Sequence, residues 1–552
     1  MEKRLLLAIV LSFLVLVFYQ IFFVKKPPPP EKPLEAIQKA EKKPSPETSQ
    51  EIPPLPSPPA EKEAPSEEEI IPPISTEKEE NILINTSLYQ AIWTNRGAVL
   101  KSWKLKNYRD ETEENLELVS LHAEDINAYP LSLKTDDPSF DDSINSALYS
   151  FSSSARDLEG GRKGELRFQY ADAQGNRVEK IFVFQDGKYT FDIIINAWKN
   201  GQKIEPGLLW GPSFGNPTPE SQKRRFGGSR GVAVLIGSKI YRLDEKKHKP
   251  ERSIYNFVTW AAYEDNYFTA LFLTNPQKSQ AVFLKQDMEE TPYFFLSFNS
   301  PQKAFLGPKD IDALSEFGYR AKNLIRFGFF GWIAQILLRA IKLIHSFIPN
   351  WGFSIIVLTI IIKILFFPLT YSSTRSIAKM QELQPKIKAL RAKYKKAKQD
   401  IAIRRKMNEE MMKLYKEHGI NPAGGCLPIL VQIPIFWGFF RLLVVSIEFR
   451  KSPFIFWIKD LSLKDPYYVT PILMGITQFI SQKMTPTSAD PTQQKMMLIM
   501  PVIMTIFFMN FQSGLVLYWL TNNVLQIGQQ YIMNRMMKKK KKESHGRKRR
   551  KK

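Results

Sequence analysis

Thr359 and Lys363 stand four residues apart in an apolar run, Trp351–Leu369 (WGFSIIVLTIIIKILFFPL). That is about one helical turn, so the hydroxyl and the ammonium share a face. Toward the C-terminus Tyr518, Asn522, Gln526 and Gln529 share another helical face, flanked by Trp519, Asn523 and Gln530, within the run Ser513–Ile532. A third run, Cys426–Ser446, is interrupted by Gln432 and Pro434. These groups suit non-covalent work: attracting a carboxylate, holding water, and hydrogen-bonding a polar chain at membrane depth. A lysine at the centre of such a segment costs about 2.5–3.5 kcal/mol on insertion scales. It needs an escape to the interface by snorkelling or a polar cavity to face. For the Asn and Gln side chains, interhelical hydrogen bonding is the plainer account.

Bond-making chemistry finds little support. Cys426 is the single cysteine, five histidines are scattered, and no His or Cys cluster has metal-ligand spacing. No phosphate-binding GxxxxGK[ST] loop occurs, and no cofactor is expected. His122 and His248 are isolated, with no catalytic partner in sight.

The elements that must position the polar groups follow from composition. The chain has 552 residues, net charge +23 and mean hydropathy −0.26, with apolar runs and polar blocks segregated. Leu5–Val24 is of span length, follows Lys3 and Arg4, and lacks a small-residue cleavage site. It predicts an uncleaved N-terminal anchor, residues 1–24. Residues 25–80 open with Pro27–Pro30 and continue in Pro, Glu, Lys and Ser, a linker that cannot bury a core. Residues 81–320 change to short alternating runs: Glu165–Tyr170, Arg177–Gln185, Lys188–Trp198, Val232–Ile236, Tyr267–Leu273, Ala281–Leu284 and Tyr293–Phe298. Asp186-Gly187 between two of them is a hairpin signal. The expectation is a β-sandwich that binds or spaces.

In residues 321–350 the polar side chains Gln335, Arg339, Lys342 and Ser346 share one helical face, opposite an apolar and aromatic one. That pattern predicts a helix lying in the membrane interface. Residues 351–370 form one span. Residues 371–425 are strongly basic, with seams Met380, Leu383, Ile387, Leu390, Tyr394 and Ile403, Met407, Met411, Leu414, which predict a helical hairpin. Its lysines and arginines place it in the cytoplasm. They serve as a solvated topology signal or as a surface for anionic lipid headgroups or ribosomal RNA. Four more spans occupy 426–534, and a basic, unstructured tail occupies 535–552. Alternation then puts both termini inside and the β-domain outside. It also brings the polar sets of the second and last spans to matching depth, toward the cytoplasmic leaflet. Two stripes at one depth favour a shared hydrated cavity. Fourteen of the sixteen methionines fall at Met380 or later, which suits surfaces accepting varied apolar partners as well as cores.

The stretches NWGFSIIVLTIIIKILFFPLT, MQELQPKIKALRAKY, KLYKEHGINPAGGCLPILVQIPIFWGFF, SPFIFWIKDLSLKDPYYVTPILMGITQFISQKMTP and PTQQKMMLIMPVIMTIFFMNFQSGLVLYWLTNN, in this order over about 200 residues, resemble the YidC/Oxa family of membrane protein insertases. The anchor, the β-domain ending in AFLGPKD and the interfacial helix resemble its Gram-negative YidC type. The resemblance implies a multi-domain membrane protein. It would have an N-terminal transmembrane anchor, a periplasmic β-supersandwich like that of sugar mutarotases, and a five-helix transmembrane core with a cytoplasmic helical hairpin. It implies a groove, open to cytoplasm and lipid, lined by Lys363, Thr359, Gln432, Tyr518, Trp519, Asn522 and Gln526. Lys363 matches the family's usual groove arginine and Thr359 its groove threonine; Trp519 stands where a second tyrosine is common. The implied partners are nascent membrane proteins, the Sec translocon and its accessory subunits, the ribosome, the signal-recognition machinery and anionic lipids. The implied site is the inner membrane, and the implied function is insertion without enzymatic chemistry. Two alternatives stand beside it. One is a secondary transporter using Lys363, for which no inverted repeat is visible. The other is an anchored envelope sugar-binding protein.

Overall fold

The computed structural model describes residues 75–215, 230–247, 250–288, 291–394, 400–420, 427–485 and 491–550. The expected anchor, the linker up to residue 74, His248 and Cys426 lie outside the described residues, as do side chains beyond Met536. The chain divides into two compact units. One contains Leu383–Gly419; the other holds the strands and most of the helices.

The alternating runs all fall on strands. In Tyr89–Thr94 the side chains of Tyr89, Ala91 and Trp93 turn inward, as period-two patterning requires. Asp186-Gly187 turns Arg177–Gln185 back onto Thr190–Lys199, with Phe184 opposite Phe191. Gly187 takes φ +75°, open to glycine without steric cost. The Asp186 carboxylate accepts from the Ser87 amide (2.7 Å), the Ser87 hydroxyl (2.7 Å) and the amides of Gly160 and Gly161 (3.1 and 2.9 Å). These donors hold it well below the usual carboxylate range. The turn residue thus also ties down two neighbouring loops.

Among the described residues all strand pairings are antiparallel, in sheets of four, ten and five strands. Side chains of all three sheets meet in one core, where Trp93 packs on Phe182 at 4.3 Å and Tyr89 stacks on Trp103 at 3.9 Å. Lys180 crosses this core fully buried. Its Nζ donates to the carbonyls of Gly97 (2.8 Å), Ala98 (3.2 Å) and Leu131 (3.1 Å). The opposite face of the ten-stranded sheet, with Leu235, Trp260, Leu271 and Phe305, covers the short helix Ile311–Phe317. It continues into a second apolar cluster shared with the C-terminal helices.

Those helices are α1 (Gly331–Phe347), α2 (Trp351–Leu365), α3 (Phe367–Glu382), α4 (Gln384–Lys393), α5 (Ile401–Glu417), α6 (Leu427–Val445), α7 (Val469–Met484), α8 (Pro491–Phe508) and α9 (Ser513–Arg550). The helix expected over 321–350 covers only α1, and it carries three faces rather than two. Ala334, Leu337, Leu338 and Ile341 are buried, whereas Trp332, Ile336, Leu343 and Phe347 are exposed. Lys342, assigned from the sequence to the water-facing side, instead meets Asp310 (2.8 Å), Asp312 (2.7 Å) and Glu448 (2.9 Å). Three carboxylates from other elements outweigh what hydration offers one ammonium.

The single span expected over 351–370 is two helices meeting at Phe366. Alone, α2 is about 22 Å long at 1.5 Å per residue. Pro368 at the start of α3 cannot donate to the preceding turn, which explains the break. Among the described residues no single helix is both long and apolar enough to cross a bilayer. α1 and α2 together are, but with a 119° bend between them. α6 and α8 carry internal prolines, Pro434 and Pro501. α9 runs on through the tail that was expected to be unstructured. Lys, Arg, Glu and Met are good helix formers and no proline stops them.

In the separate unit, α4 and α5 present their predicted seams inward. Leu383 and Ile387 are buried, and Ile403, Met407, Met411 and Leu414 are half-buried among exposed neighbours. Asp400 caps α5 by accepting from the amides of Ala402 and Ile403. Lys393 and Tyr394 both meet Glu410, at 2.9 and 2.6 Å. The seam from Met380 to Tyr394 is not one helix: Pro385, in the first turn of α4, starts a new one.

Candidate functional site

The polar residues singled out by spacing converge from three helices. Thr359 and Lys363 come from α2, Gln432 from α6, and Tyr518, Asn522 and Gln526 from α9. Five of these six line a groove with Ile362, Phe366, Leu369, Thr370, Val431 and Ile435. The groove holds about 440 Å³ of space free of protein atoms, its open mouth included. Lys363 is half-buried and is the one charged side chain among the lining residues. Its Nζ donates to Gln526 Oε1 on α9 at 2.8 Å. It therefore points across the groove to another helix, which snorkelling along α2 would not produce. Gln526 is a neutral acceptor, so the positive charge of Lys363 is oriented but not cancelled. Gln432 Nε2 donates to Asn522 Oδ1 at 3.2 Å, joining α6 to α9.

Two residues are walls more than contacts. Thr359 is buried, and its hydroxyl donates back to the Ile355 carbonyl at 2.7 Å, the usual local use of a threonine inside a helix. Tyr518 is buried and stacks on Phe439 with centroids 4.3 Å apart. Trp519 does not line the groove. Its Nε1 donates to Gln478 on α7 at 3.2 Å, and its ring packs on Phe436 and Phe508. Asn523 likewise donates to the Met474 carbonyl at 3.1 Å. One residue along a helix is a rotation of about 100°, so α9 turns Tyr518, Asn522 and Gln526 to the groove and Trp519 and Asn523 to α7. Sequence reasoning missed Phe366, at the break between α2 and α3, and Thr370, in the first turn of α3. A single helical period does not reach both, because the chain breaks between them.

Around the groove the helices expose aliphatic and aromatic side chains: Ile361, Ile364 and Leu365 on α2, Leu430 and Ile433 on α6, Ile476 and Phe479 on α7, and Ile499, Val502, Ile503 and Ile506 on α8. Apolar exposure on this scale is a liability in water and ordinary in lipid. Among the described residues no group of His, Cys, Asp and Glu could hold a metal ion.

Two family models match: the 60Kd inner membrane protein over residues 343–541 and the YidC periplasmic domain over residues 81–340. The membrane protein insertase YidC of Syntrophus aciditrophicus (strain SB) is 38% identical, with 97% of this chain and 100% of the relative covered. That of Geotalea daltonii is 37% identical at the same coverage. This chain belongs to the YidC family of membrane protein insertases. As a YidC-family member it is an insertase of the inner membrane with a periplasmic domain, and not an enzyme. The crystal structure of an active YidC insertase with its first transmembrane domain resolved is 19% identical, at TM-score 0.35, covering 83% of this chain and 94% of that one.

Proposed function

We propose that the groove between α2, α6 and α9 receives the polar flank of a nascent membrane segment while its apolar part passes into lipid. The observation that carries this is Lys363, an uncancelled charge held by a neutral amide in a half-buried groove with lipid-compatible side chains outside it. A wet groove shortens the low-dielectric path a charged flank must cross, which lowers the cost of transfer. Burial of the apolar part then supplies roughly 25 cal/mol per Å². Lys363 attracts acidic flanks as a point charge, without the planar fork an arginine would offer.

The finer organisation belongs to the same proposal: an N-terminal anchor in residues 1–24, a core of five transmembrane helices, both termini in the cytoplasm, and domain limits as read from the sequence. The basic surface of α4 and α5 suits a ribosome, the signal-recognition machinery or anionic lipid, and insertion runs alone or beside the Sec translocon.

Photocrosslinkers placed at Lys363, Thr370, Gln432 and Asn522 should capture a nascent membrane protein during translation, and one at Trp519 should not. Folded protein that yields no groove adduct with translating ribosomes would overturn the assignment. Lys363→Ala should impair substrates with acidic translocated tails more than neutral ones; equal impairment would make the lysine structural.

A further inference from the structure

Arg441 is the one charged residue of α6, in the helix turn sequence WGFFRLLVV. Its Nη2 donates to the Arg326 carbonyl. Its Nε is enclosed beneath Gly328 with no hydrogen-bond partner. Among the described residues Nη1 has no hydrogen-bond partner, and it is not fully enclosed. Among the described residues no carboxylate lies within ion-pair distance of Arg441.

The nearest ion pairs do not neutralise it. Glu264 is buried and shared by Lys309, Arg242 (3.1 Å) and Arg326 (2.9 Å). The next carboxylate, Asp265, is engaged by the amides of Tyr267 and Phe268 at 2.7 Å each. Even counting both, four cations face two carboxylates. Arg326 offers Glu264 only one nitrogen, and its side chain is 36% exposed. Beside this pair of arginines, Phe329 is 89% exposed and Trp332 65% exposed. Tryptophan is enriched at the membrane–water boundary.

We propose that Arg441 and Arg326 form a binding site for the phosphate of an anionic phospholipid in the outer leaflet, with Phe329 and Trp332 against its acyl chains. Guanidinium donors match phosphate oxygens in geometry and charge. The site rests on the proposed topology, which puts the junction of the β-domain and α6 at the outer interface. It lies on different residues from the groove and serves a different ligand. A headgroup bound there would tie the β-domain linker and α6 to the bilayer.

The test is native mass spectrometry of the full chain in detergent with added phosphatidylglycerol, phosphatidylcholine or inorganic phosphate. Wild type should retain phosphatidylglycerol over phosphatidylcholine. Arg441→Gln should retain it about 10–100-fold less, the worth of one charge-assisted contact, and Arg441→Lys should fall between. Should Arg441→Gln not fold, Arg326→Gln, which leaves α6 intact, must show the same loss. Equal retention of the two lipids, unchanged phosphatidylglycerol binding in the variants, or full occupancy by inorganic phosphate alone would each overturn the proposal. No ribosome is present, so failure here and failure of groove crosslinking are separate results.

Discussion

At the scale of single residues, Lys363 and Glu264 show two ways of holding a charged side chain away from water. Lys363 has a neutral partner, so Gln526→Leu should leave its ammonium short of an acceptor and cost about 1–3 kcal/mol. Adding Lys363→Met should recover most of that loss, because replacing both partners removes the orphan. Thermal unfolding of the two variants in detergent checks this non-additivity. Glu264 is held by charges. Burial alone would raise its pKa, but Lys309, Arg242 and Arg326 outweigh burial and bring it from 4.5 to about 2. A carboxyl lowered in the folded state contributes stability that is present above its unfolded value and lost as the pH falls through its folded value. Stability should therefore decline between roughly pH 5 and pH 2. Glu264→Gln should remove this component of the slope and cost about 3–5 kcal/mol at neutral pH, since it strands the buried Lys309. Denaturant titrations at several pH values, followed by tryptophan fluorescence, measure both effects.

At the scale of elements, helix association in the membrane half relies on small residues. A Cβ on Gly475 of α7 would collide with the Thr505 hydroxyl of α8, the close approach that glycine permits between membrane helices. Gly475→Val should lower stability by about 1–3 kcal/mol through overpacking. Thr505→Ala in the same chain should restore part of it, read as a shift in midpoint temperature. Periodicity at this scale was legible in most elements with one buried face, but not in α1, whose three faces were read as two. The strands, the α5 seam and the Thr359–Lys363 face all came from spacing alone. What spacing did not show was the break at Phe366, the restart at Pro385, and the division of α9 between the groove and α7. Each depends on which neighbour a face meets; Trp519, which by spacing only flanks the polar face and which the resemblance puts in the groove, turns to α7 instead.

At the scale of the whole molecule, the β-domain and the membrane helices make specific contacts within one compact unit. Arg450 donates to the Arg109 carbonyl at 2.8 Å, Lys451 meets Glu113 at 2.7 Å and the Asp110 carbonyl, and Asn266 donates to the Val444 carbonyl at 2.9 Å. Lys342 gathers Asp310, Asp312 and Glu448 at the same junction. Lys451→Ala should therefore speed hydrogen exchange in residues 109–114 severalfold while leaving the core strands protected; unchanged exchange would mean that the contact is not holding this loop.

The amino-acid sequence by itself pointed to a membrane protein with a β-rich domain, to polar groups sharing one face on each of two apolar segments, and to work without bond chemistry. These follow from composition and period, which are properties of a chain read locally. Only the tertiary structure decided that Lys363 faces Gln526, that Trp519 turns away, that Lys342 is an ion-pair centre, and that Arg441 has no carboxylate partner among the described residues. Such facts concern which charges meet, and residues separated by more than a hundred positions meet only when the chain has folded.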